Sequence, residues 1–474
     1  MQKRFVDGIV PKYSPAPEEP PPKIPKDQKS LFLKTAKKET KVGKKRWCFR
    51  VWFWGGFLFL LGALSVFLFF FWKGLLGPEL SLLRLGLSLN GKYLILFQNN
   101  TELRPGGGFV GSFAEAEIKN GLIKNYAFES NIYKRDKKFS AQTCLPLPAP
   151  AQKLWPEGCF AMKDSNWSPD FQESAEQVAW FYKQEGGNRI DGVIALDTSL
   201  FTDILRLIGP IEIPKYNLTI TPDNFVNETQ YYVEKAYFEN PENKKINEPK
   251  TILKEMMPIV LERLKNPKRA RALLSILAEN LKEKHLLFSF KDPNLMKIVQ
   301  RYNWGGEIKK TNSDYLYINN ANLAGMKSSL NVKEEVILKS KVLNQKDIEN
   351  TLIFTRQHQG DGQWPDAKNQ NYTRVIIPKG SVLIDKKNIE KVDFQTEGDK
   401  TIFGFWSTVD VRESKTFVLT YRLPLQKTNN HSLLVQKQPG SLPIHLVYYF
   451  QDSATWKWEG DIDEDKIIEV DLTK

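Results

Sequence analysis

Residues 51–72 (VWFWGGFLFLLGALSVFLFFFW) carry no charge over 22 positions, and no other stretch limits so tightly what the chain can become. As a helix they would extend about 33 Å, enough to cross the hydrocarbon core of a bilayer. Fourteen of them are Phe, Leu or Val, whose insertion free energies sum to roughly −6 kcal/mol. Trp52, Trp54 and Trp72 stand at the two ends, where indole rings favour the membrane interface. A cleaved signal peptide does not fit: the apolar core is too long, fifty residues precede it and no small-x-small site follows. Lys37, Lys38, Lys41, Lys44, Lys45, Arg46 and Arg50 come before the span, and only Lys73 follows closely. The positive-inside rule then expects a cytoplasmic amino terminus and an extracytoplasmic segment 74–474, held at the cell membrane by a single integral pass.

The net charge of +13 belongs mostly to the tail. Residues 1–50 hold 14 Lys and Arg against 5 Asp and Glu, which leaves only about +4 for the other 424 residues. A nucleic-acid partner for the body is not implied. Residues 14–25 (SPAPEEPPPKIP) are Pro-rich and charged, so segment 1–50 is expected to be a disordered cytoplasmic tail, serving as a spacer or as a polyproline-type ligand. Residues 73–91 read as a juxtamembrane linker.

From residue 92 to 330 strand and helix patterns alternate, which suggests an α/β or α+β layered domain. Residues 93–98 read as a buried strand, followed by a polar turn and a second strand. Asn120-Gly121 is the strongest hairpin signal in the chain. Ser168-Pro169-Asp170 opens a helix that Gly186-Gly187 closes, residues 190–196 form a buried strand, and residues 199–208 form the next helix. Strands at 285–290 and 315–319 complete this part. After about residue 330 the helical period gives way to short β-rich runs at 336–342, 350–356, 373–377, 402–409, 416–423 and 444–450. Such spacing expects an all-β immunoglobulin-like sandwich over 331–474, with Trp406, Trp456 and Trp458 filling or rimming its core.

The loop 99–113 (NNTELRPGGGFVGSF) gathers more chemistry than a turn needs. Asn99, Asn100, Arg104, Gly106, Gly107 and Gly108 are the candidate anion-binding residues. Glycines let backbone N–H groups point into a nest, and Arg104 is a forked donor for phosphate or carboxylate. No Gly-Lys-Ser/Thr follows and the next element is a strand, so neither a nucleotide loop nor a dinucleotide fingerprint applies. A structural reading stands beside the anion site: Arg104 pairs with Glu102 or an inner acid, and the glycines permit positive φ or close strand packing.

Asp164, with Asn166, is the candidate metal position, suited to a hard cation beside a phosphate; the alternative is an Asx-turn before the helix. Asp191 and Asp197 are secondary acidic candidates that bracket the 190–196 strand, and helix capping explains Asp197 equally well. Histidines 285, 358, 431 and 445 have no ligand spacing, and no GxSxG elbow is present. Three cysteines give neither a disulfide framework nor a zinc site. Cys144 and Cys159 are either a disulfide, contributing around 3 kcal/mol by loop closure, or two buried thiols. Cys48 is either free or palmitoylated.

Segments 99–113, 164–171 (DSNWSPDF), 191–197 (DGVIALD), 208–213 (IGPIEI), 304–308 (WGGEI) and 314–329 (DYLYINNANLAGMKSS) resemble, in that order, the bacterial domain-of-unknown-function 4012 family. That family's plan is similar: a basic tail, one span and a large extracytoplasmic part. A more distant likeness is to LytR-CpsA-Psr phosphotransferases, which move glycopolymers from polyprenyl pyrophosphate. It rests on Arg104 soon after the span, and on 191–197 followed by a helix and 208–213. Their Arg-Ser-Asp-Thr signature is absent here. Two functions are therefore expected. One is a membrane-anchored envelope protein that binds or scaffolds an envelope component, such as a glycopolymer or lipid-linked phosphate, through loop 99–113. The other is a phosphotransferase or ligase acting on lipid-linked glycopolymers. No cofactor is expected for the first; Mg²⁺ is expected only for the second.

Overall fold

The apolar run that starts at Tyr93 (YLILF) lays down a long strand, β1 (Gly91–Arg104), which folds back through Pro105 and Gly106 into β2 (Gly107–Lys119). The structure, a computed structural model, describes residues 77–312, 314–343, 347–424 and 431–470. The expected tail (1–50), the apolar span (51–72) and Cys48 lie outside the described residues. Among those described, no helix is long and apolar enough to cross a membrane. All of them fall in one compact unit, 71–474.

The polar turn expected at Asn99 is instead strand. Bulges between Phe97 and Gln98 and between Asn99 and Leu103 absorb the extra residues, so the ladder runs on to Arg104. Asn120 (φ 51°) and Gly121 (φ 72°) then make the tight turn into β3 (Leu122–Glu129). β4 (Gly192–Asp197) lies parallel to β1, and β5 (Leu286–Phe290) is antiparallel to β4, giving the order β3-β2-β1-β4-β5.

Helices cover both faces of this sheet. They are α1 (Pro78–Ser88), α2 (Ile132–Ser140), α3 (Phe171–Gln184), α4 (Thr198–Ile208), α5 (Phe225–Tyr231), α6 (Thr251–Leu264), α7 (Ala270–Lys282) and α8 (Pro293–Arg301). One face packs on α3 through Phe171, Ala175, Val178 and Phe181. The other packs on α1, α4, α7 and α8 through Leu82, Leu85, Leu200, Leu281 and Val299. Residues 78–88, read as linker, thus belong to the folded body, because Leu82 and Leu85 are buried in its core. The cap of α3 is Asp170, which accepts from the N–H groups of Gln172 and Glu173. Between α4 and α6 a small hairpin, α5 and a π-helical turn at Tyr232–Ala236 build a separate apolar layer around Phe201, Phe225 and Met256.

The carboxy-terminal part is β-rich. Its strands are β6 (Asp314–Asn322), β7 (Val332–Leu343), β8 (Asp347–His358), β9 (Asn371–Pro378), β10 (Val382–Lys387), β11 (Asp393–Glu397), β12 (Lys400–Trp406), β13 (Ser414–Pro424), β14 (Ser432–Gln436), β15 (Ile444–Gln451), β16 (Thr455–Ile462) and β17 (Lys466–Glu469). They form two six-stranded sheets, β11-β12-β9-β6-β14-β17 and β10-β13-β8-β7-β15-β16. Residues from both, among them Leu316, Val336, Phe354, Phe403 and Tyr448, share one core. Trp456 and Trp458 pack at its edge, while Trp406 joins another cluster with Tyr372.

Two details depart from expectation. An immunoglobulin sandwich is antiparallel, whereas each sheet here has a parallel pair at its centre, β6 with β14 and β7 with β15. The pairs arise because the chain returns to both central strands after a long excursion along the sheets. The strand near 315–319 also sits in the sandwich rather than in the α/β part. All nine residues of β6 are buried, since its outer face is covered by the first part of the chain. Tyr317 Oη donates to Pro169 O at 3.3 Å and Asn319 Nδ2 to Pro105 O at 3.0 Å across that contact.

Candidate functional site

The tip of the β1–β2 hairpin is a joint between the two parts of the chain. Gln98 Nε2 donates to Gly106 O (3.1 Å), Gly106 N to Asn166 O (3.0 Å), and Asn166 Nδ2 to Gly108 O (2.7 Å). Gln438 Nε2 reaches over from the sandwich to Arg104 O at 3.1 Å. Gly107 and Gly108 pair with Arg104 and Leu103 in the ladder. A Cβ on Gly108 would lie 2.3 Å from Asn99 C, and Gly107 has φ +124°. Close backbone approach therefore accounts for these glycines. The Arg104 guanidinium is 2.6 Å from Glu102 Oε1 and also donates to the Leu103 and Asn322 carbonyls.

The other sequence candidates scatter around this joint. Asn100 is fully buried, donates to Ser199 Oγ (3.1 Å) and Gly440 O (3.2 Å), and accepts from Thr198 Oγ1. Asn99 Oδ1 accepts from Thr101 N and Oγ1. Asp197 caps α4 through Ser199 N (2.9 Å) and Leu200 N (3.4 Å), and meets His285 Nδ1 at 2.7 Å. Asp191 accepts from Lys92 N (2.9 Å) at the other end of β4, about 20 Å from Asp197 at a strand's rise per residue. Asp164 pairs with Lys163. Cys144 and Cys159 form a disulfide. Among the described residues no group of three or more His, Cys, Asp and Glu side chains could hold a metal ion.

The strands of the hairpin, rather than its tip, border two cavities that share Phe109. The first, about 430 Å³, lies under the layer around α5 and α6. That size is ordinary for a small-molecule site. Phe97, Phe128, Phe201, Phe225, Leu253 and Met257 make its wall apolar. Lys250, just before α6, contributes an ammonium that no hydrogen bond or ion pair among the described residues reaches. Gly111 makes room for it: a Cβ there would lie 2.1 Å from Lys250 Nζ. Burial, reinforced by the neighbouring Lys327 charge, pushes the Lys250 pKa down to about 7, against a smaller upward pull from Glu234 and Glu102. Lys327 differs, since it bridges Glu102 and Glu234 (3.5 Å). Ser112 Oγ also lines the cavity, is 1% exposed and has no partner among the described residues. A buried hydroxyl and a half-buried ammonium, both without a hydrogen-bond partner among the described residues and both lining this cavity, leave room for a ligand that accepts hydrogen bonds.

The second cavity, about 690 Å³, opens on the other side of Phe109. Arg104, Glu102, Lys163 and Asp164 line it together with Trp155 and Trp167. Most of its charges are paired: Arg104 and, from the first cavity's wall, Lys327 flank Glu102, and Lys163 pairs with Asp164, while the exposed Glu157 has no ion pair among the described residues. Arg104 and Asp164 thus share a cavity, while Asn99 and Asp197 border the first one and Asp191 borders neither.

Lys250, Lys327 and Ser112 were not singled out by the sequence. They come from three distant segments, and although Ser112 lies within loop 99–113 and Lys327 within segment 314–329, no motif links either of them to Lys250. Residues 90–233 match the model of a family described as a protein of unknown function, DUF4012, so the resemblance read from the sequence holds over that segment. It includes the hairpin and most of the first cavity's wall, but neither lysine. No curated protein matches the chain. Among solved structures, a Legionella pneumophila chain described as nutrient binding is 9% identical, covering 31% of this chain and 68% of its own, with a TM-score of 0.23. An M1 zinc metallopeptidase from Deinococcus radiodurans is 10% identical over 29% of this chain and 40% of its own, with a TM-score of 0.18. Neither likeness is close enough to carry a fold or a function.

Proposed function

We propose that this chain is a single-pass, membrane-anchored extracytoplasmic protein of the cell envelope that binds an anionic amphiphile in the 430 Å³ cavity. The anchor rests on the uncharged 51–72 stretch and the basic residues before it. One observation carries the ligand class: the Lys250 ammonium faces a largely apolar cavity without a direct ion pair, Glu234 and Glu102 acting on it only at longer range. A phosphate or carboxylate would supply that charge and accept from Ser112, while a hydrocarbon chain would cover the Phe and Leu wall at about 0.8 kcal/mol per buried methylene. Binding is favoured over phosphoryl transfer because Arg104, the expected phosphate clamp, already holds Glu102 and two carbonyls. The acids expected to act with it are likewise engaged by Lys163, Lys92 and the α4 amides. The β-rich part would support this site and face other envelope components.

Calorimetric titration of octyl phosphate into the full chain in zwitterionic nanodiscs tests the reading. Saturable binding is expected, weakened at least about tenfold, or 1.4 kcal/mol, by Lys250→Met, with octanol and inorganic phosphate each binding more weakly. Absent binding, or equal affinity in the variant, would sink it.

A further inference from the structure

We propose that the second cavity, beyond Phe109, is a separate site for a neutral saccharide stacked on Trp155. The wall that carries Trp155 is built to hold it out. The Cys144–Cys159 disulfide and the short ladder of Leu145–Pro146 with Cys159–Phe160 close the loop at its base. Within it Trp155 N donates to Ala151 O (2.9 Å) and Gly158 N to Trp155 O (3.0 Å). A tryptophan on so pinned a loop would ordinarily be tucked inward, yet Trp155 is 44% exposed and borders the cavity. No ring or cation among the described residues stacks on it, whereas Trp167 across the cavity is covered by Arg374 at 4.8 Å.

The polar lining selects the ligand. Glu102 is shared by Arg104 and Lys327, and Asp164 is held by Lys163 through one carboxylate oxygen. The remaining charged group of the lining, Glu157, is an exposed carboxylate without an ion pair among the described residues, so the cavity holds no unopposed cation to draw an anion, unlike the cavity that holds Lys250. It does have, a few ångströms apart, carboxylates that accept and guanidinium and ammonium groups that donate. A pyranose matches both features. Its hydroxyl rim donates and accepts at once, and its C–H face lies flat on an indole, the amphipathic contact for which exposed Trp is suited. A plain apolar ligand would leave the ion pairs desolvated, and an anion would face Glu102 and Asp164.

Saturation-transfer NMR and tryptophan fluorescence on the full chain, with cellotetraose, chitotetraose and maltotetraose as probes, test the site. At least one should give a saturable signal on its ring protons. Trp155→Ala should weaken it about tenfold or more, Trp155→Phe should retain part of it, and Lys250→Met should leave it unchanged. The last arm separates this site from the amphiphile site, so either can fail alone. No saturable signal from any of the three sugars, or equal affinity after Trp155→Ala in a variant that melts like the parent, would overturn the proposal.

Discussion

The two cavities on either side of Phe109 are built from the same hairpin and differ in one respect that decides their chemistry. On one side Lys250 has no ion-pair or hydrogen-bond partner among the described residues, although Glu234 and Asp197 line the same cavity; on the other Glu102 is held by Arg104 and Lys327, and Asp164 by Lys163. An unpaired buried charge is a cost to the fold, and a ligand of opposite sign can recover it. A paired one is part of the fold, and removing either partner leaves the other uncompensated. The contrast separates a residue available to a ligand from residues engaged with one another, although all are charged side chains on cavity walls.

The comparison is most sharply tested by stability. Glu102→Gln leaves Arg104 and Lys327 without their shared carboxylate and should destabilise by about 3 kcal/mol in urea titrations. Lys250→Met should cost nothing or stabilise slightly; equal losses in the two variants would erase the distinction. Next in size, replacing Cys144 and Cys159 by Ser should cost around 3 kcal/mol by loop closure and often less in practice, and should loosen saccharide binding while octyl phosphate binding stays intact.

The pH dependence should differ in direction as well. Lys250 binds a proton less readily folded than unfolded, so stability should rise with pH from about 7 towards the ordinary lysine range near 10. Burial alone would raise the Glu102 pKa, but Arg104 and Lys327 outweigh it and hold the carboxyl below its usual value. Its contribution is present above the ordinary glutamate range and lost as pH falls through the depressed folded value. Thermal melts across pH should therefore lose their alkaline rise in Lys250→Met and part of their acid fall in Glu102→Gln. The smallest effect expected is for Trp155→Ala, whose melting free energy should stay within about 0.5 kcal/mol of the parent, since an exposed ring supports little core.

Much of the fold could be read in advance because its determinants are local. Asn120-Gly121 sets φ at two adjacent positions, Asp197 caps the helix that follows it, alternation marks β7, β8 and β13 within a few residues, and the short apolar run 375–377 (VII) marks β9. What escaped was pairing between distant segments. β6 looks like a strand of either part, and only its contacts with Pro105 and Pro169 on one face and the sandwich core on the other decide its place. The site escaped for the same reason. Loop 99–113 drew notice for its glycines and Arg104, which turn out to be packed into the joint, while Gly111, in the same loop, meets a lysine 139 positions further on and Ser112 lines the same cavity. Whether a lysine has a partner is a property of three-dimensional surroundings, and no spacing rule encodes it.

The most direct measurement is the ionisation of Lys250 itself, followed by NMR of labelled lysine side chains in the full chain and assigned with Lys250→Met. An ammonium without a direct partner in a largely apolar cavity predicts a midpoint close to 7, moving upward when octyl phosphate is added. A midpoint near the ordinary value of about 10, unmoved by the ligand, would contradict the account.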